Sequence, residues 1–174
     1  HKHGDKEHIH RGIDGHTWVS PKRYMSQIEI LYKKIKMIKI MPNETLFDRY
    51  QKLRSEVSEL DKLWKEAGKK LAASGTVYTN HATYNYLAKD YGFKTHNCDL
   101  SPEHDFSAGE LARLNKVLGK EHDAKFFWWE SQATVGQIKK IKEEYGLKNL
   151  VISPSELKGE LNFLEAVREN VSKI

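Results

Sequence analysis

Two histidines stand where a cation could be held. His16 lies in IDGHTWVSP, residues 13–21, between a flexible Asp-Gly pair and a tryptophan, just ahead of a proline that opens a helix. His81 lies in TNHATYNYL, directly after a short β-rich run and at the start of the next helical stretch. Neutral imidazole is a borderline ligand that suits zinc, and structural or transport sites want four donors in a tetrahedron. The positive end of the helix after His81 disfavours imidazolium and so favours the metal-binding neutral ring. Of the nine histidines, five fall in the first sixteen residues, and His1, His3, His8 and His10 could collect metal loosely. They are not consecutive, which argues against a purification tag. Each histidine also has a plainer reading, as a helix-start residue facing solvent or as part of a solvated polar loop.

The elements that would position these residues follow from periodicity and punctuation. Residues 1–15, rich in His, Gly and charge, read as a loop. Ser20-Pro21 supplies an N-cap and a first-turn proline. Ile28, Leu31, Ile35 and Ile38 recur at helical spacing, which predicts an amphipathic helix over roughly 21–40. Pro42 interrupts it and Asn43 is expected to cap the next. Leu46, Tyr50, Leu53, Val57, Leu60 and Trp64 share one stripe, so a helix of about 43–72 is predicted, long enough for a strut between two bodies. From Ser74-Gly75 the pattern alternates: TVYT, GFKTHNCDL, AKFFWWE and LKNLVIS as strands, with helices over about 82–91, from Ser107 to about Glu121, 132–145 and 160–173. Strands alternating with short helices predict an α/β lobe over 74–174, a four-stranded parallel sheet with helices on both faces. In such a sheet ligands bind beyond the carboxyl ends of the strands, where His81 falls. Trp128-Trp129 should alternate across their strand, one against each helical layer. Residues 1–42 read as a fragment of a different body, joined to the lobe by the strut, 43–73.

The motifs resemble a known family. DGHTWVSP is similar to the D-P-H-x-W-L-D-P motif of the periplasmic zinc- and manganese-binding proteins that serve ABC transporters, the metal-binding solute-binding proteins. TNHATYNYLAKDYGF resembles their S-H-x-A-F-x-Y-L-A-K-x-Y-G-L motif, the most specific of the set. SPEHDFSAGELARL, AKFFWWESQ and YGLKNLVISP follow in order, and the last helix, with Asn170, fits too. The resemblance implies two α/β lobes joined by one long helix, with metal in the cleft between them. It carries His16 over as a ligand from the first lobe and His81 as one from the second. Histidine at 81 leans towards Zn2+ over Mn2+. It further implies a periplasmic or extracytoplasmic setting, with an anchor on the precursor, and delivery of the cation to a membrane permease. Trp18 is expected to wall the pocket, and Glu130 to partner a ligand imidazole or to act as a cap or ion pair.

Three departures qualify it. The first lobe that precedes the His-rich loop in family members is absent, and because the chain opens without Met inside a polar loop it is read as a processed or truncated product. Ser153 in VISP replaces a carboxylate common in the L-D-P segment, so water or a carboxylate elsewhere must complete the shell. Gly15 in place of proline should loosen the His16 loop.

Composition excludes several classes. With 30% charged and 39% apolar residues this is ordinary globular material, and no apolar run approaches the ~20 residues that span a bilayer. A net charge of +5 is modest, and the densest basic run, KKIKMIK, reads as the solvated side of a helix, with no nucleic-acid partner. Cys98, alone, forms neither a disulfide nor a CxxC motif. His96, His104 and His122 are expected at the surface. HExxH, GxGxxG, the P-loop and GxSxG are all absent, so the chain is read as a non-enzyme. A metal buffer or metallochaperone without a transporter, or a zinc-dependent enzyme, are the competing functions. With the first lobe absent, the aliphatic stripe Ile28–Ile38 predicts self-association or mobile first helices.

Overall fold

The computed structural model describes residues 14–119, 122–156 and 162–174. His1, His3, His8 and His10 lie outside them. The helix expected to reach about Glu121 ends at Leu118, where Gly119 caps it, and the one expected from Glu160 starts at Phe163, capped by Asn162.

Helix α1 spans Pro21–Ile38 and α2 spans Asn43–Ala72, packed together as a hairpin. The expected caps are refined. Ser20 has cap geometry, but its hydroxyl bonds to Asp90, and the cap of α2 is Pro42, so Asn43 is already helical. The stripe of α2 buries Leu46, Val57, Leu60, Trp64 and Leu71. Gly68 sits against the backbone of Tyr91, where any side chain would overlap it. On α1 only the first half is well covered: Ile28 is buried, while Leu31 and Ile38 are exposed together with Ile30, Met37 and Ile40. Lys33, Lys34, Lys36 and Lys39 are solvated, as expected.

The rest of the chain alternates. Strand β1 is Val77–Thr79, β2 Thr95–Asn97, β3 Phe126–Trp129 and β4 Lys148–Val151. Helix α3 is Asn85–Tyr91, preceded by a 3-10 turn at Ala82–Tyr84; α4 is Ala108–Leu118, α5 Val135–Tyr145 and α6 Phe163–Ser172. Reciprocal capping boxes start α4 (Ser107, Glu110), α5 (Thr134, Gln137) and α6 (Asn162, Glu165). Gly92 and Gly146 end α3 and α5 in the left-handed conformation that glycine adopts without penalty.

All four strands are parallel, in the order β2-β1-β3-β4. The chain leaves β1 towards one edge and later crosses to the other, and the right-handed crossover rule then puts α3 on one face and α4 and α5 on the opposite one. Trp128 packs with Trp64, Tyr84 and Phe93 on the α2–α3 face; Trp129 packs with Phe127, Ile141 and Tyr145 on the α4–α5 face. Both tryptophans are fully buried, one per layer as the alternation predicts. Cys98 lies one residue past β2 and is buried, which pushes its thiol up to about 12. His122 also departs from the surface reading: its Nε2 lies 3.1 Å from the Tyr145 carbonyl. Among the described residues no helix is long and apolar enough to cross a membrane.

Candidate metal centre

The strand order reverses between β1 and β3, and the crevice beyond their carboxyl ends is where such sheets place ligands. Asn80 is the joint at that point. Fully buried, it accepts from the Glu130 N–H through Oδ1 at 2.9 Å and donates to the Leu100 carbonyl at 3.1 Å. Its side chain thus fastens the exits of β1 and β3 to the loop after β2. His81 follows directly. Its Nδ1 lies 3.1 Å from Glu130 Oε2 and 2.9 Å from the Thr83 hydroxyl. Since an ionised carboxylate only accepts, Nδ1 carries the proton, and Nε2 is the nitrogen this ring can offer a cation. The same hydrogen bond raises the His81 pKa, against the opposing effect of burial. That reverses the helix-dipole expectation. The backbone here makes a single 3-10 turn before the short α3, and the nearby carboxylate outweighs any dipole.

His16 comes from the other side, on the segment before α1. Its Nδ1 lies 2.7 Å from Asp14 Oδ1, and its backbone N–H donates to the same oxygen at 3.0 Å. Burial would raise the Asp14 carboxyl, but these bonds and one from Asn85 hold it below the usual carboxylate range. Beside Gly15, where the chain is expected to be loosened, Asp14 ties the loop to His16 and to Asn85. Trp18 walls the site, with its ring 5.4 Å from that of His16 and its indole N–H donating to the Pro154 carbonyl at 3.0 Å.

The structure brings the two predicted histidines together: their ring centroids are 5.7 Å apart, nearly perpendicular. It also supplies a residue the sequence reading missed. Glu156 places Oε1 3.0 Å from His16 Nε2. A carboxylate thus stands three residues after position 153, where one is expected. Ser153 serves instead as a turn residue: its backbone N–H and carbonyl both pair with Asn170, and its hydroxyl accepts from the Ser155 N–H at 3.1 Å. Ser155 takes a positive φ of 56°, an uncommon conformation for a non-glycine residue, immediately before Glu156. Tyr84 holds the Ile152 carbonyl just upstream. An acidic residue in the loop after β4 was the available signal, since that loop ends at the same rim.

Among the described residues no three His, Cys, Asp or Glu side chains are grouped so as to hold a metal ion as they stand. A cation between His16 Nε2 and Glu156 Oε1 would meet an imidazole nitrogen and a carboxylate, with the His81 ring alongside. Two nitrogens and one oxygen suit zinc.

Comparison with known proteins is consistent across sequence and structure. A family model described as ZnuA, zinc-uptake complex component A, periplasmic, matches residues 1–174. The zinc-binding lipoprotein AdcA of Streptococcus pneumoniae is 28% identical over 181 residues, covering 100% of this chain and 36% of the relative. The high-affinity zinc uptake system protein ZnuA of Bacillus subtilis is 31% identical over 171 residues, covering 93% of this chain and 52% of the relative. Thus the chain spans between about a third and a half of those relatives. The Zn(II)-bound ZnuA-like domain of S. pneumoniae AdcA superposes with a TM-score of 0.82 at 27% identity, over 98% of this chain and 66% of that one. The metal-dependent lipoprotein YcdH of B. subtilis gives 0.81 at 26% identity, over 94% and 64%.

Proposed function

The chain belongs to the family of periplasmic zinc-uptake complex component A proteins, and from that premise we propose that it captures Zn2+ outside the cytoplasmic membrane and hands it to an ABC transporter permease. His16, His81 and Glu156 are the ligands in this reading, and Asp14 and Glu130 orient the two rings. The observation that carries it is the approach of the His16 and His81 rings to 5.7 Å from two distant parts of the sequence, with Glu156 on His16 Nε2. Zn2+ would lie between His16 Nε2 and Glu156 Oε1 with His81 as a further ligand, and a fourth donor would close the tetrahedron. Two imidazoles beside a single carboxylate favour Zn2+ over Mn2+. In the same reading α2 is the strut between residues 1–42, a remnant of a first lobe, and the metal-binding lobe 74–174.

Zinc titration against a competing chelator tests the ligand set. His16→Ala, His81→Ala and Glu156→Gln are each expected to weaken binding about 100-fold, each removing one share of a zinc-site energy of order 10–16 kcal/mol. Unchanged affinity in all three would remove these residues from the site. A protein that binds zinc but not its permease would be a buffer or metallochaperone. Hydrolytic turnover by the zinc-loaded protein would instead favour the enzyme reading. The exposed Ile30, Leu31, Met37, Ile38 and Ile40 support self-association of this chain. Light scattering should show species larger than a monomer, and Leu31→Lys should reduce them.

A further inference from the structure

The segment that carries His16 is fastened to one short helix, α3, at both ends, through Asp14 on one side and Ser20, Lys22 and Arg23 on the other. Asn85 donates to Asp14 Oδ2 at 3.1 Å, and the Tyr86 hydroxyl donates to the Asp14 carbonyl at 3.0 Å. Further along, Asp90 accepts from the Ser20 hydroxyl at 2.8 Å, from Arg23 Nε at 2.6 Å and from Arg23 Nη2 at 3.1 Å. The Arg23 guanidinium also lies 4.2 Å above the Tyr86 ring. The Lys22 N–H donates to the Tyr91 hydroxyl at 3.1 Å, and that hydroxyl donates to Asp61 of α2 at 2.9 Å.

Two features make this more than general packing. First, α3 begins four residues after His81, so one rigid element both follows one prospective ligand and grips the segment bearing the other. Second, the grip is concentrated in a bidentate, charge-assisted pair whose carboxylate is only 9% exposed. A buried carboxylate of this kind holds its position only while its partners stay, because an unpaired buried charge is costly.

Resting on the zinc-capture reading above, we propose that Asp90 and Arg23, with Tyr86 and Asn85, form a latch that sets the spacing of His16 and His81 before the cation arrives, and that opening of this latch governs its release. These are positioning residues: none touches the cation. Ligand geometry must be held within about 0.5 Å to be productive, and the latch supplies that restraint on the side of the site that does not belong to the sheet.

The test is the rate of zinc loss from the loaded full chain into excess EDTA, measured alongside equilibrium affinity for the metal alone. Arg23→Ala and Asp90→Ala should each speed release about 10-fold or more, in the range typical for losing a group that supports a ligand. The double variant should be no faster than either single one, because both changes break the same pair. Arg23→Lys should restore part of the slow release, keeping the charge but losing the fork. A purely structural role would lower the melting temperature without this ordering of release rates. Should Asp90→Ala fail to fold, Arg23→Ala and Tyr86→Phe decide. Wild-type release rates in those variants, with the wild-type protein binding zinc normally, overturn the latch and leave the zinc reading intact. Failure of the wild-type protein to bind zinc overturns both.

Discussion

His81 and His16 occupy one site but are held by opposite means. His81 stands on the sheet: Asn80 locks the strand exits beneath it, Glu130 and Thr83 hold its Nδ1, and Trp128 packs under the adjoining 3-10 turn through Tyr84. His16 stands on a short segment ahead of a helix, with no strand beneath it, and is secured by side-chain bonds to α3 and to the loop after β4. One imidazole is set mainly by the close-packed core, the other by polar contacts together with the packing of Trp18 and Val19. Under the proposed capture and release of Zn2+, that asymmetry would let one side of the site yield before the other.

The comparison can be broken most severely from beneath His81. Trp128→Ala should cost about 3–5 kcal/mol in chemical denaturation, as loss of a fully buried indole does, and should remove zinc binding with it. Asn80→Ala should cost about 2–3 kcal/mol, because the Glu130 N–H and the Leu100 carbonyl lose their buried partner, and should also weaken zinc binding. A mild change separates orientation from folding: Glu130→Gln should lower zinc affinity about 10-fold with little change in denaturation midpoint. The smallest effect lies far from the metal. The Cys98 thiol, at about 12 in the fold against an ordinary 9.0, keeps its proton in the native state while the unfolded chain loses it. Its contribution is complete below pH 9 and falls as pH rises towards 12. At pH 10 the wild type should therefore have lost about 1 kcal/mol more, relative to pH 8, than Cys98→Ala. Equal losses in the two proteins would mean the thiol is not held neutral by the core.

Much of this architecture is written locally. The residues of α2 alternate every three or four positions over thirty residues, and helix formation needs little more. Ser107 announces a helix start that the structure builds as a reciprocal cap with Glu110, whereas the helix expected from about 132 starts at Val135, capped by Thr134 with Gln137. Other signals were ambiguous at the level of the chain. Ser20 looks like a helix cap, yet its hydroxyl accepts from no helix N–H and instead donates to Asp90, seventy residues on. A helix dipole at His81 should favour the neutral ring, but Glu130, just past the neighbouring strand, sets the opposite sign. Ser153 stands where a carboxylate is expected, whereas the left-handed turn at Ser155 brings Glu156 to His16.

By itself the sequence determined which segments are helix or strand, that the strands run parallel, and that His16 and His81 were the histidines to watch. Those are properties of periodicity, capping and residue chemistry, which act over a few residues. Only the tertiary structure decided which carboxylates face those imidazoles and what fastens His16 in place. Such pairings depend on where strand exits and loops meet in space, and contacts between residues tens of positions apart, such as His81 with Glu130 and His16 with Glu156, leave no mark in the local pattern of either partner.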